Sequence, residues 1–178
     1  MKYTACALAM LVAATITSAA MAAEGTINFN GELKAETCQV SVGGGGNSTV
    51  TLPTLATSEL AEPGKVAGLT AFNIQLSKCS AALKTAAAFF QAGGTVDPAN
   101  GNLKNSGSAT KVQLQLVDMT NGKPIKAGSG EQLTSTSHIA LDETSLSANL
   151  PYAVQYFAQA ATGPGTVVSS VTYNIDYK

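Results

Sequence analysis

Residues 167–178 read Val167-Val-Ser-Ser-Val-Thr-Tyr-Asn-Ile-Asp-Tyr-Lys178. On an extended chain Val167, Ser169, Val171, Tyr173, Ile175 and Tyr177 fall on one side, and Val168, Ser170, Thr172, Asn174, Asp176 and Lys178 on the other. The spacing predicts a long strand from Thr166 to Tyr177, and the sequence stops there with no later element to cover the strand's edge. A long apolar edge pairs readily with foreign strands, so a partner is expected to be supplied.

The same period recurs near the other end. From Ala23 every second residue is small or apolar (Ala23, Gly25, Ile27, Phe29, Gly31, Leu33), and the intervening ones are Glu24, Thr26, Asn28, Asn30, Glu32 and Lys34. A strand of this kind either forms an edge of its own domain or completes another sheet. Ahead of it, Lys2 is followed by an apolar run from Ala5 to Thr17 and then by small residues, with Ala20 and Ala22 placed as in an A-x-A cleavage site. This reads as a secretory signal over residues 1–22, leaving 156 residues (178 minus 22) in an oxidising compartment.

Between the two ends, short strands are expected at Gln39–Val42, Val50–Leu52, Ala71–Leu76, Val112–Asp118 and Tyr152–Gln159. They are separated by turn chemistry: Gly43 to Asn47, Glu62-Pro63-Gly64, the polar loop Asn100 to Ser108, Asn121-Gly122 and Gly163-Pro164-Gly165. The Ala-rich piece Ser80 to Phe90 fits a short turn or helix running into a strand near Ala86 to Ala92. Many short strands with few helices point to an all-β sandwich.

Composition narrows the function. Only 12% of residues are charged, against about 25% in typical domains, and every one of the ten basic residues is Lys. A net charge of -1 argues against nucleic acid as a partner, since binding a phosphate backbone needs a basic patch. With Cys6 removed in the signal, Cys38 and Cys79 remain. In an oxidising compartment they are expected to pair, with two buried free thiols as the alternative; closing that loop is worth roughly 4 kcal/mol in the chain-entropy model. Two thiols and one histidine do not make a metal site, so neither metal nor other cofactor is expected.

Catalytic constellations are equally thin. His138 reads as a lone surface histidine, Ser129 lacks a nucleophile-elbow pattern, and Asp142 and Glu143 would point to opposite faces of a strand. Asp97-Pro-Ala-Asn100-Gly-Asn102 lacks the alternating ligands and terminal Glu of a calcium loop. No enzyme is expected.

A family resemblance rests on these residues in this order: Gly25-Thr-Ile-Asn-Phe29-Asn-Gly31 with Cys38 after it, Leu52-Pro-Thr-Leu55, Thr70-Ala-Phe72-Asn-Ile74-Gln-Leu76 leading to Cys79, Val112-Gln-Leu114-Gln-Leu116 with Asp118, Pro151 to Tyr156, Gly165, and the end Val171-x-Tyr173-x-Ile175-x-Tyr177. The chain resembles the structural pilins of the chaperone-usher class and is similar to the main shaft subunit of type 1 fimbriae. The resemblance implies an incomplete immunoglobulin-like β-sandwich lacking its last strand, with residues 23–35 a donor extension and 36–178 the pilin domain. It implies that Ala23, Gly25, Ile27 and Phe29 complete a neighbouring copy or related pilin by donor-strand exchange. Val171, Tyr173, Ile175 and Tyr177 would be gripped first by a periplasmic chaperone, with assembly at an outer-membrane usher into a fimbria on the cell surface that serves adhesion. Ala23 departs from the pattern, because many relatives place a larger residue at that leading position. The other readings are a minor adaptor pilin or a secreted carbohydrate-binding β-sandwich. A tip adhesin needs a receptor-binding domain for which 156 residues leave no room.

Overall fold

The computed structural model describes residues 37–43 and 49–178. Nine strands follow one another along the chain: β1 (Gln39–Val42), β2 (Val66–Ser77), β3 (Thr85–Phe90), β4 (Leu103–Lys104), β5 (Val112–Asp118), β6 (Lys123–Ile125), β7 (Ile139–Ala140), β8 (Ala148–Ala158) and β9 (Tyr173–Tyr177). A 3-10 turn at Thr57–Leu60 and a single helical turn, α1, at Gln132–Ser135 are the helical elements among the described residues.

One sheet runs β1-β2-β8-β5-β4 with β6 also on β5, and the other runs β7-β3-β9; every pairing is antiparallel. The reason is visible in the strand patterns. On β2, Phe72, Ile74 and Leu76 face inward while Ala71, Asn73, Gln75 and Ser77 face out. On β8, Tyr152, Leu150 and Ala148 meet them in turn from the neighbouring strand in register. The inward side chains of both sheets make one core around Ile74, Leu76, Phe90, Leu116, Leu150 and Tyr152.

Two polar groups tie the layers. The hydroxyl of Tyr152, on β8, accepts a 2.8 Å hydrogen bond from the Ala88 amide of β3. Its ring meets Phe90 edge-on at 5.2 Å. Gln132, on α1 and 2% exposed, uses its side-chain amide like a piece of strand: Oε1 accepts from the Phe90 N–H and Nε2 donates to the Phe90 carbonyl, both at 2.9 Å. The edge of β3 away from β9 is thus covered by β7 at Ala86, by Tyr152 at Ala88 and by Gln132 at Phe90.

The all-β sandwich is as expected, and the strands at Gln39–Val42 and Val112–Asp118 have the anticipated bounds. Other elements differ. Residues 50–52 form no strand, although Val50 and Leu52 pack on the core. The regular part of the last strand starts only at Tyr173, because residues 166–168 bond partly to side chains instead of to a strand: the Thr166 N–H donates to Ser108 Oγ and the Val168 N–H to Asn105 Oδ1. Exposure still alternates from Val167 to Tyr173, as the period requires. The stretch expected as a polar loop, 100–108, contains β4 and the buried Asn102.

Candidate functional site: a groove beside the last strand

Antiparallel pairing fixes which backbone groups of the last segment are used. Lys178 and Thr85 exchange two 2.9 Å bonds, and the Gln91 N–H donates to the Thr172 carbonyl at 2.8 Å. Further up, the Val168 carbonyl accepts from Ser106 and the Thr166 carbonyl from Ala109. The even-numbered residues therefore turn their N–H and C=O groups toward β3 and residues 105–109, and the odd-numbered residues turn theirs the opposite way. On that opposite side lies a groove.

Its floor is apolar. A cavity of about 410 Å³ is lined by Val42, Val50 and Leu52 on one wall, Val171 and Tyr173 on the other, and Phe72, Ile74, Phe90, Leu114, Leu116 and Val154 beneath. A second cavity of about 560 Å³, lined by Leu55, Leu60, Val112, Tyr156 and Val167, adjoins Gly163-Pro164-Gly165. Ser169 also faces the first cavity, and its hydroxyl is buried without a hydrogen-bond partner among the described residues. At the far end Tyr177 bridges the walls: its hydroxyl accepts a 3.3 Å bond from the Cys38 amide. Cys38 is bonded there to Cys79, which lies just after β2, so the disulfide joins the start of β1 to the end of β2.

Of the expected residues, Val171 and Tyr173 line this groove, all four of Val171, Tyr173, Ile175 and Tyr177 pack on the core, and burial raises the Tyr173 phenol above its usual range. Ala23, Gly25, Ile27 and Phe29 lie outside the described residues. The other wall and the floor, with Phe72, Phe90 and Val154, were not legible as groove residues, because a floor residue has the same pattern as any core residue. His138 is a correction: it is only 14% exposed at the side chain and its Nε2 sits 2.9 Å from Asp176 Oδ2 on β9. Glu143 forms a surface pair with Lys84 at 3.2 Å, while Asp142 accepts the Thr144 and Ser145 amides, bonds that hold its carboxyl below the usual range.

A sandwich of this topology is the fold of chaperone-usher pilins. A solved chaperone-usher pilus, in work on rod uncoiling, superposes with a TM-score of 0.59 at 20% identity, covering 88% of this chain and 96% of that one. The family profile described as "Type-1 fimbrial protein, A" matches residues 52–178. The "Major fimbrial subunit SMF-1" of Stenotrophomonas maltophilia is 46% identical over 173 residues, covering 94% of this chain and 99% of the relative. The "F17 fimbrial protein" of Escherichia coli is 37% identical, covering 94% and 95%. The chain belongs to the type-1 fimbrial protein A family. It is a structural subunit of a fimbria, assembled with other pilins on the cell surface, and its relatives are structural proteins.

Proposed function

We propose that the groove receives residues 23–35 of a neighbouring copy or related pilin, so that the fimbria grows by donor-strand exchange. The observation that carries this reading is an edge of the last segment that no strand among the described residues pairs with, lying over an apolar floor. An added strand gains main-chain hydrogen bonds from the odd-numbered residues, and its alternate side chains fill the cavities. Ala23, Gly25, Ile27 and Phe29 have the required spacing of two. Gly25 suits a shallow place in the floor, and the small Ala23 gives a weak leading contact. Before assembly, a periplasmic chaperone holds the same edge through Val171, Tyr173, Ile175 and Tyr177, and an outer-membrane usher then exchanges it for the extension. Residues 1–22 are the export signal in this scheme. The protein is a building element and not a catalyst.

The test is a rearranged chain in which residues 23–34 are moved behind Lys178 through a short flexible linker. It should fold as a monomer without chaperone, refuse to polymerise, and melt higher than the chain simply lacking 23–34. Burial of Ile27, Phe29 and Leu33 at about 1.5–3 kcal/mol each supplies the gross gain. Gly25→Leu should erode that gain by overpacking, and Asn28→Leu, on the opposite face, should not. No gain on rejoining, or indifference to the face altered, would show that the amino-terminal strand is not a donor.

A further inference from the structure

Two Asn-Gly steps lie in the described chain, and both occur in the same six-residue frame, Asp-x-x-Asn-Gly-x: Asp97 to Asn102 and Asp118 to Lys123. The frames share three hydrogen bonds. Asp Oδ1 accepts the amide two residues on, from Ala99 at 3.0 Å and from Thr120 at 2.8 Å. The Asp carbonyl accepts the glycine amide, from Gly101 and from Gly122, both at 2.8 Å. The Asn Oδ1 accepts the amide two residues on, from Asn102 and from Lys123, both at 2.9 Å. Each glycine lies in the left-handed region, at φ +75° and +71°. Beyond the frames, Asp97 Oδ2 accepts from Gln113 Nε2 and Asp118 Oδ2 from the Ser137 amide, both at 2.7 Å.

Asn-Gly is the dipeptide most open to deamidation, since glycine offers no side chain to hinder the reaction. The glycine nitrogen attacks Cγ of asparagine, a C–N bond forms and the Cγ–Nδ2 bond breaks. The displaced nitrogen leaves as ammonia with the proton the glycine nitrogen gives up. Water then opens the cyclic imide to aspartate or isoaspartate. Both reacting groups must be free to turn toward each other.

Here neither is. The glycine N–H is committed to the Asp carbonyl, and the asparagine amide is pinned at both ends. Asn100 Nδ2 donates to Gln113 Oε1 at 2.9 Å. Asn121 Nδ2 donates to Asp118 Oδ2 at 2.9 Å, and to the Ser135 carbonyl and Ser137 Oγ at 3.0 Å each. Gly101 is buried, and a Cβ there would fall 2.5 Å from the Lys126 Cα; Gly122 stands open to solvent. We propose that Asn100 and Asn121 are latent modification sites, which the fold keeps from cyclising and which convert to isoaspartate only when their turns open, Asn121 before Asn100. A third Asn-Gly step, Asn30-Gly31, lies outside the described residues.

The test is peptide mapping by mass spectrometry, resolving isoaspartate from aspartate, on the full chain aged at mildly alkaline pH. Native protein is compared with protein reduced and unfolded in guanidinium. Conversion at both steps should be slower in the native chain by about tenfold or more, since it requires local opening. Ser137→Ala removes one acceptor of Asn121 at a half-buried position. It should speed conversion at Asn121 alone, leave Asn100 as an internal reference, and leave the unfolded rates unchanged. Equal native and unfolded rates would overturn the proposal. So would an unchanged Asn121 rate in a Ser137→Ala chain that melts like the parent.

Discussion

The hydroxyl of Tyr152 accepts the amide of Ala88 at 2.8 Å across the two sheets, in a site where burial, with the Asp118 carboxylate adding to it, pushes the phenol up to about 12. Ionisation is therefore harder in the folded chain than in the unfolded one, where the phenol titrates near its ordinary value of about 10. The contribution is fully present below pH 10 and is lost as pH rises toward about 12, for a total of about 2–3 kcal/mol. Urea denaturation across that range should show the fall. Tyr152→Phe should lack this part of the slope and, at neutral pH, lose about 1–3 kcal/mol for the stranded Ala88 amide.

At the closed end of the groove, Tyr177→Phe removes the acceptor of the Cys38 amide without changing the ring. The expected loss is about 1 kcal/mol, because the site is only partly buried. Replacing both Cys38 and Cys79 with Ala should cost several times more, roughly 4 kcal/mol in the chain-entropy model. Thermal melting of the three chains ranks them, and a Phe variant as weak as the disulfide-free one would contradict the ranking.

The two Asp-x-x-Asn-Gly turns separate the backbone cost of a substitution from its steric cost. Gly122→Ala meets nothing within 4 Å and should lose about 1–2 kcal/mol, the penalty for a Cβ in the left-handed region. Gly101→Ala has the same backbone cost and in addition meets the Lys126 main chain, so about 1–3 kcal/mol more is expected. Equal melting shifts for the two would mean that the Lys126 segment yields without cost.

Among the described residues, three other than glycine adopt the left-handed region: Lys78, Lys111 and Leu146, at φ 51°, 59° and 49°. The lysines are exposed, so Lys78→Gly and Lys111→Gly should each stabilise by a few tenths to about 1 kcal/mol. Leu146 packs on the core beside Cys79, whose amide donates to the Leu146 carbonyl at 3.0 Å. Leu146→Gly should therefore destabilise, by about 1–2 kcal/mol, despite relieving the same strain. Denaturant midpoints of the three variants check the opposite signs.

Sequence periodicity predicted what repetition encodes: the inward face of β2, the whole of β5, and the face of the last strand from Val167 to Tyr177. It stopped short wherever a side chain does the work of a strand. Gln132 finishes an edge with one amide, and its position in sequence, 42 residues from Phe90, carries no mark of that role. His138 looked isolated because its partner Asp176 is 38 residues away. The repeated Asp-x-x-Asn-Gly frame was open to inspection, since its spacing is local. Asp142-Glu-Thr-Ser145-Leu146-Ser147 even repeats two of its bonds, Thr144 N–H to the Asp142 carboxylate and Leu146 N–H to the Asp142 carbonyl, with leucine in the glycine place, where the dipeptide no longer marks the turn.

The plugging of β3 by Tyr152 and Gln132 sets a valence. With that edge shut, the side of β9 away from β3 is the long edge of the smaller sheet that no described strand pairs with. On the proposed donor-strand reading, each unit accepts a single newcomer there, and growth through the sheet gives an unbranched line whose two ends are chemically different. That one-sidedness rests on two side chains, one phenol and one amide.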